Sequence, residues 1–256
     1  MTSLTGTISG EALTGTVDSF TTYQAKIAAI ESADLIGYWM LRETTGATAD
    51  NYEGTAARDG TYEAVTLNSA DGPVNGSRAP LFDGSTSYCD IYSTSLNTAF
   101  DGAEGTAAIW AKVRAASVWT DSTVRYLLTL KVDANNSVIV TKYTTDNTIR
   151  FAYEADNTVE PVADVTIGGS TAWNHLAITW SKSSGASGEV KAYINGVQVG
   201  TTQQTLGVWA GDLAATTVDI GAVSTVPASV WDGYLAHAAI WKTPLSAAQI
   251  LTIATV

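Results

Sequence analysis

The chain has 256 residues, with 13 Lys and Arg against 25 Asp and Glu, which gives a formal net charge of −12. Phosphate backbones and anionic lipid surfaces repel such a chain, and its longest apolar stretches are only a few residues long, so we expect no nucleic-acid partner and no membrane insertion. The single cysteine, Cys89, excludes an internal disulfide. Only 15% of the residues are charged and 45% are hydrophobic, which is typical of a globular protein with a large core.

The N-terminal residues 1–20 contain an approximate repeat of a strand-like unit. Residues 3–10 (SLTGTISG) and 12–19 (ALTGTVDS) both show the period of two that is typical of a β-strand. Two such short units bury no face by themselves, so we interpret residues 1–20 as an extended arm that pairs with another structure. A frayed tail is the alternative interpretation. The segment has no basic or apolar leader region, so we expect no secretory signal.

Two helices are predicted, one at each end of the main domain. Thr21 and Gln24 fit a capping box, and apolar residues recur on one face, which predicts a helix at about residues 21–34. Near the C-terminus, Ser246 can cap a second short helix while Gln249 reaches back to it. Between these two helices the pattern changes to that of strands.

From Pro80 onward, short alternating segments are separated by turns. The segment 107–113 alternates apolar side chains between its two faces. Asn195-Gly196 is the strongest turn signal, because a type I′ hairpin turn requires positive φ at both central residues. Many short strands with helices only at the ends predict an all-β fold, an antiparallel β-sandwich or jelly roll, in one domain over residues 21–256.

Seven segments carry a resemblance to a known family: LIGYWMLRETTGATAD (35–50), DGTY (59–62), LFDGSTSYCDIY (81–92), AAIWAKV (107–113), WNHLAITW (173–180), GEVKAYINGVQVG (188–200) and GYLAHAAIWKTPLSAAQI (233–250). In order and spacing they resemble the concanavalin A-like lectin/glucanase superfamily, in particular its laminin-G/pentraxin-like branch. The resemblance covers residues 22–254 and implies two curved antiparallel sheets in a jelly roll. Its members bind glycans, proteins or calcium, and some hydrolyse glycosides, so the fold alone does not select an activity.

No catalytic residues are predicted. Hydrolases of this superfamily carry a Glu-x-Asp-x-Glu run on one strand, because alternate residues share a face, and this chain has no such run. The two histidines, His175 and His237, lie within predicted strands, and there is no Gly-x-Ser-x-Gly motif. We therefore expect that the protein is not an enzyme. A glycoside hydrolase whose carboxylates converge from separate loops is the alternative.

Calcium is the candidate cofactor that the resemblance implies. Relatives often hold a structural calcium near loops that carry the family-like aspartates, which in this chain are Asp50, Asp59, Asp83 and Asp90. Asp83 precedes Gly84, so an Asx-turn is the alternative role for this side chain. Where relatives tend to carry an acidic pair in the last strand, this chain has Ala236 and His237. No set of metal ligands is predicted.

Three tryptophans lie in loops rich in Ser, Thr, Asp and Gly, and an aspartate follows each of them closely. A pyranose presents an apolar C–H face to an aromatic ring, and carboxylates accept hydrogen bonds from its hydroxyl groups. We therefore predict six candidate ligand-binding residues: Trp119, Asp121, Trp209, Asp212, Trp231 and Asp232. The alternative is that the tryptophans are lids that cover the ends of the sandwich.

The Gly/Thr-rich repeats ahead of a lectin-like domain resemble the structural proteins of bacteriophage virions. This resemblance implies a non-catalytic protein of a phage particle, docked to other virion proteins through residues 1–20. It would assemble in the host cytoplasm, where a lone thiol stays reduced. The sandwich would bind a host-surface glycan or decorate the capsid or tail, as a homo-oligomer in the assembly. Alternatives are structural cement that binds no glycan, a polysaccharide-acting hydrolase and a secreted carbohydrate-binding adhesin.

Overall fold

A computed structural model describes residues 2–8, 11–17, 19–52, 56–144, 147–156 and 158–256. The helices within these ranges are α1 (Ser19–Ala29), α2 (Thr94–Ala99) and α3 (Ala247–Ile253). The strands are β1 (Thr2–Ile8), β2 (Glu11–Val17), β3 (Leu35–Trp39), β4 (Thr48–Ala49), β5 (Gly60–Glu63), β6 (Thr66–Asp71), β7 (Arg78–Asp83), β8 (Tyr88–Asp90), β9 (Glu104–Val113), β10 (Arg125–Asp133), β11 (Asn136–Lys142), β12 (Thr148–Ala155), β13 (Thr158–Thr166), β14 (Asn174–Ser181), β15 (Glu189–Ile194), β16 (Val197–Gln204), β17 (Val218–Ile220) and β18 (Asp232–Trp241). None of the described helices has the length and apolar character needed to cross a membrane.

Two antiparallel sheets form a sandwich, which confirms the predicted fold class. Sheet I has the order β13-β12-β11-β10-β17-β8-β5-β4, and sheet II has the order β16-β15-β14-β9-β18-β7-β6, with β3 pairing to β18 as well. Among the described strands, β1 and β2 pair only with each other, from Thr2 opposite Val17 to Ile8 opposite Glu11. The strand-like repeat near the N-terminus is therefore a two-stranded hairpin in the structure.

The main core lies between the two sheets and follows from strand alternation. In β9, Ile109 and Val113 point into this core, whereas Trp110 belongs to a second cluster on the outer face of sheet II. In β14, Leu176, Ile178 and Trp180 likewise point inward. Side chains alternate between the two faces of each strand, so every strand directs one face into the core. The sandwich therefore buries most of its large apolar side chains without a disulfide.

The second cluster packs α1 and α3 against the outer face of sheet II. Tyr23 and Ile27 of α1 are each 2% exposed, and Ile253 of α3 is fully buried. The Tyr23 hydroxyl donates to the Ile253 carbonyl oxygen at 2.7 Å and accepts from Trp110 Nε1 at 2.7 Å. Helix α1 is therefore part of the folded body and connects directly to the last helix.

The bounds of α1 differ from the prediction of a helix at about residues 21–34. The helix begins at Ser19 and ends at Ala29. Glu31 then adopts a φ of 43°, and its carbonyl oxygen accepts hydrogen bonds from the amides of Asp34 and Leu35. Left-handed backbone ends a helix, so the predicted extension to residue 34 is wrong.

Two local predictions are confirmed in full. Asn195 and Gly196 have φ values of 51° and 80° in the turn between β15 and β16. The Asn195 Oδ1 atom also accepts a hydrogen bond from the His175 amide at 2.8 Å, which ties the turn to the neighbouring strand. At the start of α3, Ser246 and Gln249 form the complete capping box that the sequence indicates.

Candidate functional site

Trp119 and Trp231, two of the three predicted platform tryptophans, are buried at one end of the sandwich. Their exposed fractions are 2% and 0%, and their ring centroids lie 6.2 Å apart in an edge-to-face arrangement. The Trp119 Nε1 atom donates to the Ser170 carbonyl oxygen at 2.7 Å. A ring that is covered on both faces offers no surface to a sugar, so these two tryptophans match the alternative of lids.

Asp121 and Asp232, the aspartates that follow those two tryptophans, are held in ion pairs. Asp121 accepts from Lys142 Nζ at 2.5 Å and from Arg125 at 2.7 Å. Burial raises the pKa of Asp121, but the hydrogen bonds from Lys142 and Arg125 outweigh burial and leave its pKa below the ordinary value. Asp232 is 8% exposed and pairs with Arg114 at 2.8 Å. These carboxylates close this end of the sandwich.

Trp209 lies at the opposite end of β9 and borders an open cleft of about 360 Å³. The ring is half-buried. It packs edge-on against Phe100 at a centroid distance of 5.6 Å and tilted against Tyr153 at 5.9 Å. Gly102 lies directly beneath the ring, since a Cβ atom at this position would be 2.0 Å from Trp209 Cγ. Two aromatic neighbours and a glycine therefore fix the orientation of the ring at the surface.

Polar side chains surround Trp209 in the same cleft. Asp101, Asp212 and Lys242 line it and are all exposed. Lys242 Nζ is 3.5 Å from Asp34 Oδ1, at the edge of the cleft. Asn97 Oδ1 accepts from the Leu213 amide at 2.8 Å and so ties α2 to the loop that carries Asp212. Of the six predicted residues, the structure brings together Trp209 and Asp212 at an open surface.

Phe100, Asp101 and Lys242 are among the residues that line the cleft and that the sequence does not predict as site residues. The run Phe100-Asp101-Gly102 has an aromatic, an acidic and a glycine residue, as does the loop around Trp209. This similarity of composition is the signal that indicates a shared surface. Lys242 comes from the end of β18 and shows no such local signal.

The histidines and the cysteine lie inside the molecule. His175 and His237 are 1% and 3% exposed, and burial is the largest cause that lowers the pKa of each to about 3. The Tyr38 hydroxyl and His237 Nδ1 are 2.8 Å apart beneath α1. Cys89 is fully buried, and burial raises the pKa of its thiol. None of these three groups lines the Trp209 cleft.

Asp83 and Asp59, two of the four family-like aspartates, have hydrogen bonds that explain their positions. Asp83 Oδ1 accepts from the amides of Ser85, Thr86 and Ser87, so this side chain builds the turn between β7 and β8. Asp59 Oδ1 accepts from the Asn51 amide at 2.9 Å. Across the parts of the chain that the structure describes, no three His, Cys, Asp or Glu side chains meet as a metal site.

The comparisons with known proteins agree with the fold. The family model described as the concanavalin A-like lectin/glucanases superfamily matches residues 83–251. No curated protein matches the chain. Domain 4 of AbnA, a GH43 extracellular arabinanase from Geobacillus stearothermophilus solved with arabinotriose, is similar in structure with a TM-score of 0.60 at 14% identity. That similarity covers 87% of this chain and 98% of the arabinanase domain.

Two larger proteins contain a similar fold as one part. Trypanosoma rangeli sialidase in complex with sialic acid has a TM-score of 0.61 at 11% identity, covering 92% of this chain and 37% of the sialidase. A structure of botulinum neurotoxin type C, whose cell entry depends on two ganglioside molecules, has a TM-score of 0.62 at 13% identity. It covers 89% of this chain and 52% of the toxin chain. The chain thus spans about a third to a half of these proteins, and the similarity at this identity concerns the fold.

Proposed function

Since the chain belongs to the concanavalin A-like lectin/glucanases superfamily, we propose that it is a non-catalytic carbohydrate-binding module. Its site is the cleft around Trp209. The observation that carries the proposal is the fixed, half-buried Trp209 ring, with Asp212 and Asp101 beside it. An aromatic face covers the apolar side of a sugar, and the carboxylates accept hydrogen bonds from its hydroxyl groups.

The charge of the cleft favours neutral or amino sugars as ligands. Two carboxylates, Asp101 and Asp212, line the cleft together with the ammonium group of Lys242, which lies close to Asp34. A sialic acid would bring a further negative charge to this surface, and to a chain with a net charge of −12. The complex of the similar arabinanase domain with arabinotriose, a neutral oligosaccharide, supports this choice.

Replacing the Trp209 ring tests the proposal. We expect the Trp209→Ala variant to lose about 5- to 30-fold in affinity for a bound glycan, since stacking on an aromatic ring is worth about 1–2 kcal/mol. Trp173→Ala is the matched control, because Trp173 is a partly exposed tryptophan that packs beside the second cluster. The measurement is binding to a glycan array, followed by calorimetry. An array without any binder, or equal losses in both variants, would contradict the proposal.

Hydrolysis of a polysaccharide is the alternative activity. A retaining or inverting glycosidase needs two carboxyl groups about 5–9 Å apart on either side of the scissile bond, one of them with a raised pKa. Asp219 has a carboxyl pKa raised to about 8, but this side chain is fully buried and does not line the cleft. Release of reducing sugar that is lost in Asp101→Asn or Asp212→Asn would favour the hydrolase.

We also propose that the hairpin of β1 and β2 attaches the module to a larger particle, with a phage virion as the assembly. The support is that β1 and β2 pair with no strand of either sheet, and an isolated two-stranded hairpin is marginally stable in water. A particle surface that adds a strand to the hairpin stabilises it. In this arrangement, copies of the sandwich are displayed with the Trp209 cleft available to a host-surface glycan. The secreted adhesin is the alternative setting for the same cleft.

A further inference from the structure

A row of oxygen-bearing side chains crosses the outer face of sheet I. The strand register places Thr61 opposite Asp90, Asp90 opposite Asp219, and Asp219 opposite Thr129. Directly opposed residues of antiparallel strands share a face, and neighbouring strands lie about 4.8 Å apart. Cys89, which precedes Asp90, points into the core between the sheets, so the row lies on the other face.

Asp219, at the centre of this row, is buried without a hydrogen-bond partner. The residue is 0% exposed, and neither carboxylate oxygen has a partner within the described part of the chain. Burial, and next the charge of Asp90, raise the pKa of Asp219 to about 8. A buried carboxylate without a partner is strongly unfavourable, so either a proton or a cation must neutralise it.

The surroundings of Asp219 supply further oxygen atoms, and its neighbour Asp90 is partly exposed to solvent. Asp90 is half-buried and uses Oδ1 to accept from the Tyr92 amide at 2.8 Å. The buried Thr129 hydroxyl donates to the Ala222 carbonyl oxygen at 2.9 Å, so its lone pairs remain as acceptors. A cation between β17 and β8 would therefore meet the carboxylates of Asp219 and Asp90, with the Thr129 hydroxyl oxygen on the neighbouring strand.

The same region concentrates negative charge. Burial raises the pKa of the Tyr88 hydroxyl, and the carboxylates of Glu63, Asp219 and Asp90 raise it further. Glu63 lies opposite Tyr88 in the register of β5 and β8. Three carboxylates around one short strand attract a cation to this face of the sheet.

We propose that Asp219 and Asp90 together bind one divalent cation and that calcium is the preferred ion. The side-chain ligand atoms in this row are all oxygen atoms, which suits hard cations, while the Cys89 thiol points to the other face. Two carboxylates on adjacent strands form an irregular set of ligands. Calcium accepts such a set with added water, whereas magnesium requires near-ideal octahedral geometry.

This site overlaps only in part with the calcium position that the family resemblance implies, because Asp90 is one of the four family-like aspartates and Asp219 is not. Asp219 lies outside all seven family-like segments, and its carboxylate has no partner among the described residues. By contrast, Asp59, Asp83 and Asp90 each accept a hydrogen bond from a backbone amide. A cation between Asp219 and Asp90 would connect β17 to β8 in the middle of sheet I. The inference is independent of sugar binding, because neither aspartate lines the Trp209 cleft.

Titration of calcium into chelator-treated full-length protein tests this site. We expect calorimetry to show one ion per chain, with magnesium binding at least about tenfold more weakly. Asp219→Asn and Asp90→Asn remove a charge with little change in shape and should each abolish the binding heat. Asp50→Asn is the matched control, because Asp50 is an exposed family-like aspartate outside the row.

Thermal unfolding provides the second measurement. Saturating calcium should raise the melting temperature of the wild type and of Asp50→Asn by about 5 °C, and should leave Asp219→Asn unchanged. If Asp219→Asn does not fold, the Asp90→Asn variant tests the proposal in the same two assays, because the Asp90 side chain is partly exposed and its substitution disturbs the fold less. The proposal would be overturned if the wild type showed no binding heat, or if Asp219→Asn and Asp90→Asn both bound calcium as the wild type does. A proton on Asp219 would then be what neutralises the buried carboxylate. Loss of binding in Asp50→Asn alone would overturn it in favour of the family-like loops.

Discussion

Gly196 shows how one residue connects a turn to a helix. Its φ of 80° lies in the left-handed region, and α3 packs directly against it. A Cβ atom at this position would be 2.7 Å from Leu251 Cδ1 and 3.0 Å from Leu251 Cα. The glycine is therefore required twice, once by the turn and once by the approach of the helix backbone.

Substitution of two glycines separates these two requirements. Gly168 has a φ of 73° and open space around the position of a Cβ atom. We expect Gly168→Ala to lower the free energy of unfolding by about 1 kcal/mol, which is the cost of left-handed backbone alone. Gly196→Ala should lower it by about 2–3 kcal/mol, because α3 must also shift. Urea denaturation measures the free energy of unfolding of both variants. Equal losses in the two variants would show that the contact between residue 196 and α3 does not affect stability.

At the same scale, the sequence predicts the tryptophan loops but not their exposure. Trp119, Trp209 and Trp231 have similar neighbours in the chain, yet only Trp209 borders an open cleft. The exposure of a tryptophan depends on which residues pack over its ring. At the other end of the sandwich, Lys142 pairs with Asp121 beside Trp119, and Arg114 pairs with Asp232 beside Trp231, each across a long stretch of sequence. Local composition carries no information about such partners.

Among the elements, those with strong local signals are the ones that the sequence predicts correctly. The alternation of β9 and the Asn195-Gly196 turn need no distant contact to be recognised. Helix α2 was missed because its residues, TSLNTA, have low helix propensity. It forms because Ser93 caps it and because Leu96 is fully buried in the main core. Helix α2 carries Asn97 and leads into Phe100, so the sequence also does not predict this wall of the cleft.

The hairpin of β1 and β2 is the element whose role can be tested by removal. A chain without residues 1–18 keeps α1, and with it the buried side chains of Tyr23 and Ile27. We expect its melting temperature to change little, whereas its incorporation into particles should be lost. Circular dichroism and co-sedimentation with particles measure the two effects.

A longer deletion is the control for this experiment. Removing residues 1–30 also removes α1 and exposes the second cluster, so it should destabilise the domain by several kcal/mol. If the shorter deletion unfolds the domain as strongly as the longer one, the hairpin is part of the fold and the attachment role is wrong.

For the whole molecule, the buried imidazoles link stability to pH. His175 and His237 have pKa values lowered to about 3, below the ordinary value of 6.5. Between these limits the unfolded chain binds protons that the folded chain does not. The histidines therefore stabilise the fold above pH 6.5, and this contribution is lost as the pH falls towards 3.

A comparison between the wild type and His175→Gln isolates one of these groups. Between pH 7 and 5, the wild type should lose about 2 kcal/mol more of its unfolding free energy than the variant does. Because the other titrating groups are common to both chains, their contributions cancel in the difference. Urea denaturation at each pH gives the values. Parallel pH profiles would mean that the folded protein accommodates a protonated His175.

The contact between α1 and the residues around α3 brings the two ends of the domain to one side. Lys26 Nζ donates to the Thr255 carbonyl oxygen at 2.6 Å, next to the link between Tyr23 and Ile253. A domain whose two ends lie close together can be inserted into a surface loop of another protein without distorting that protein. The same geometry makes the domain suitable for circular permutation, with a short linker that joins its two ends.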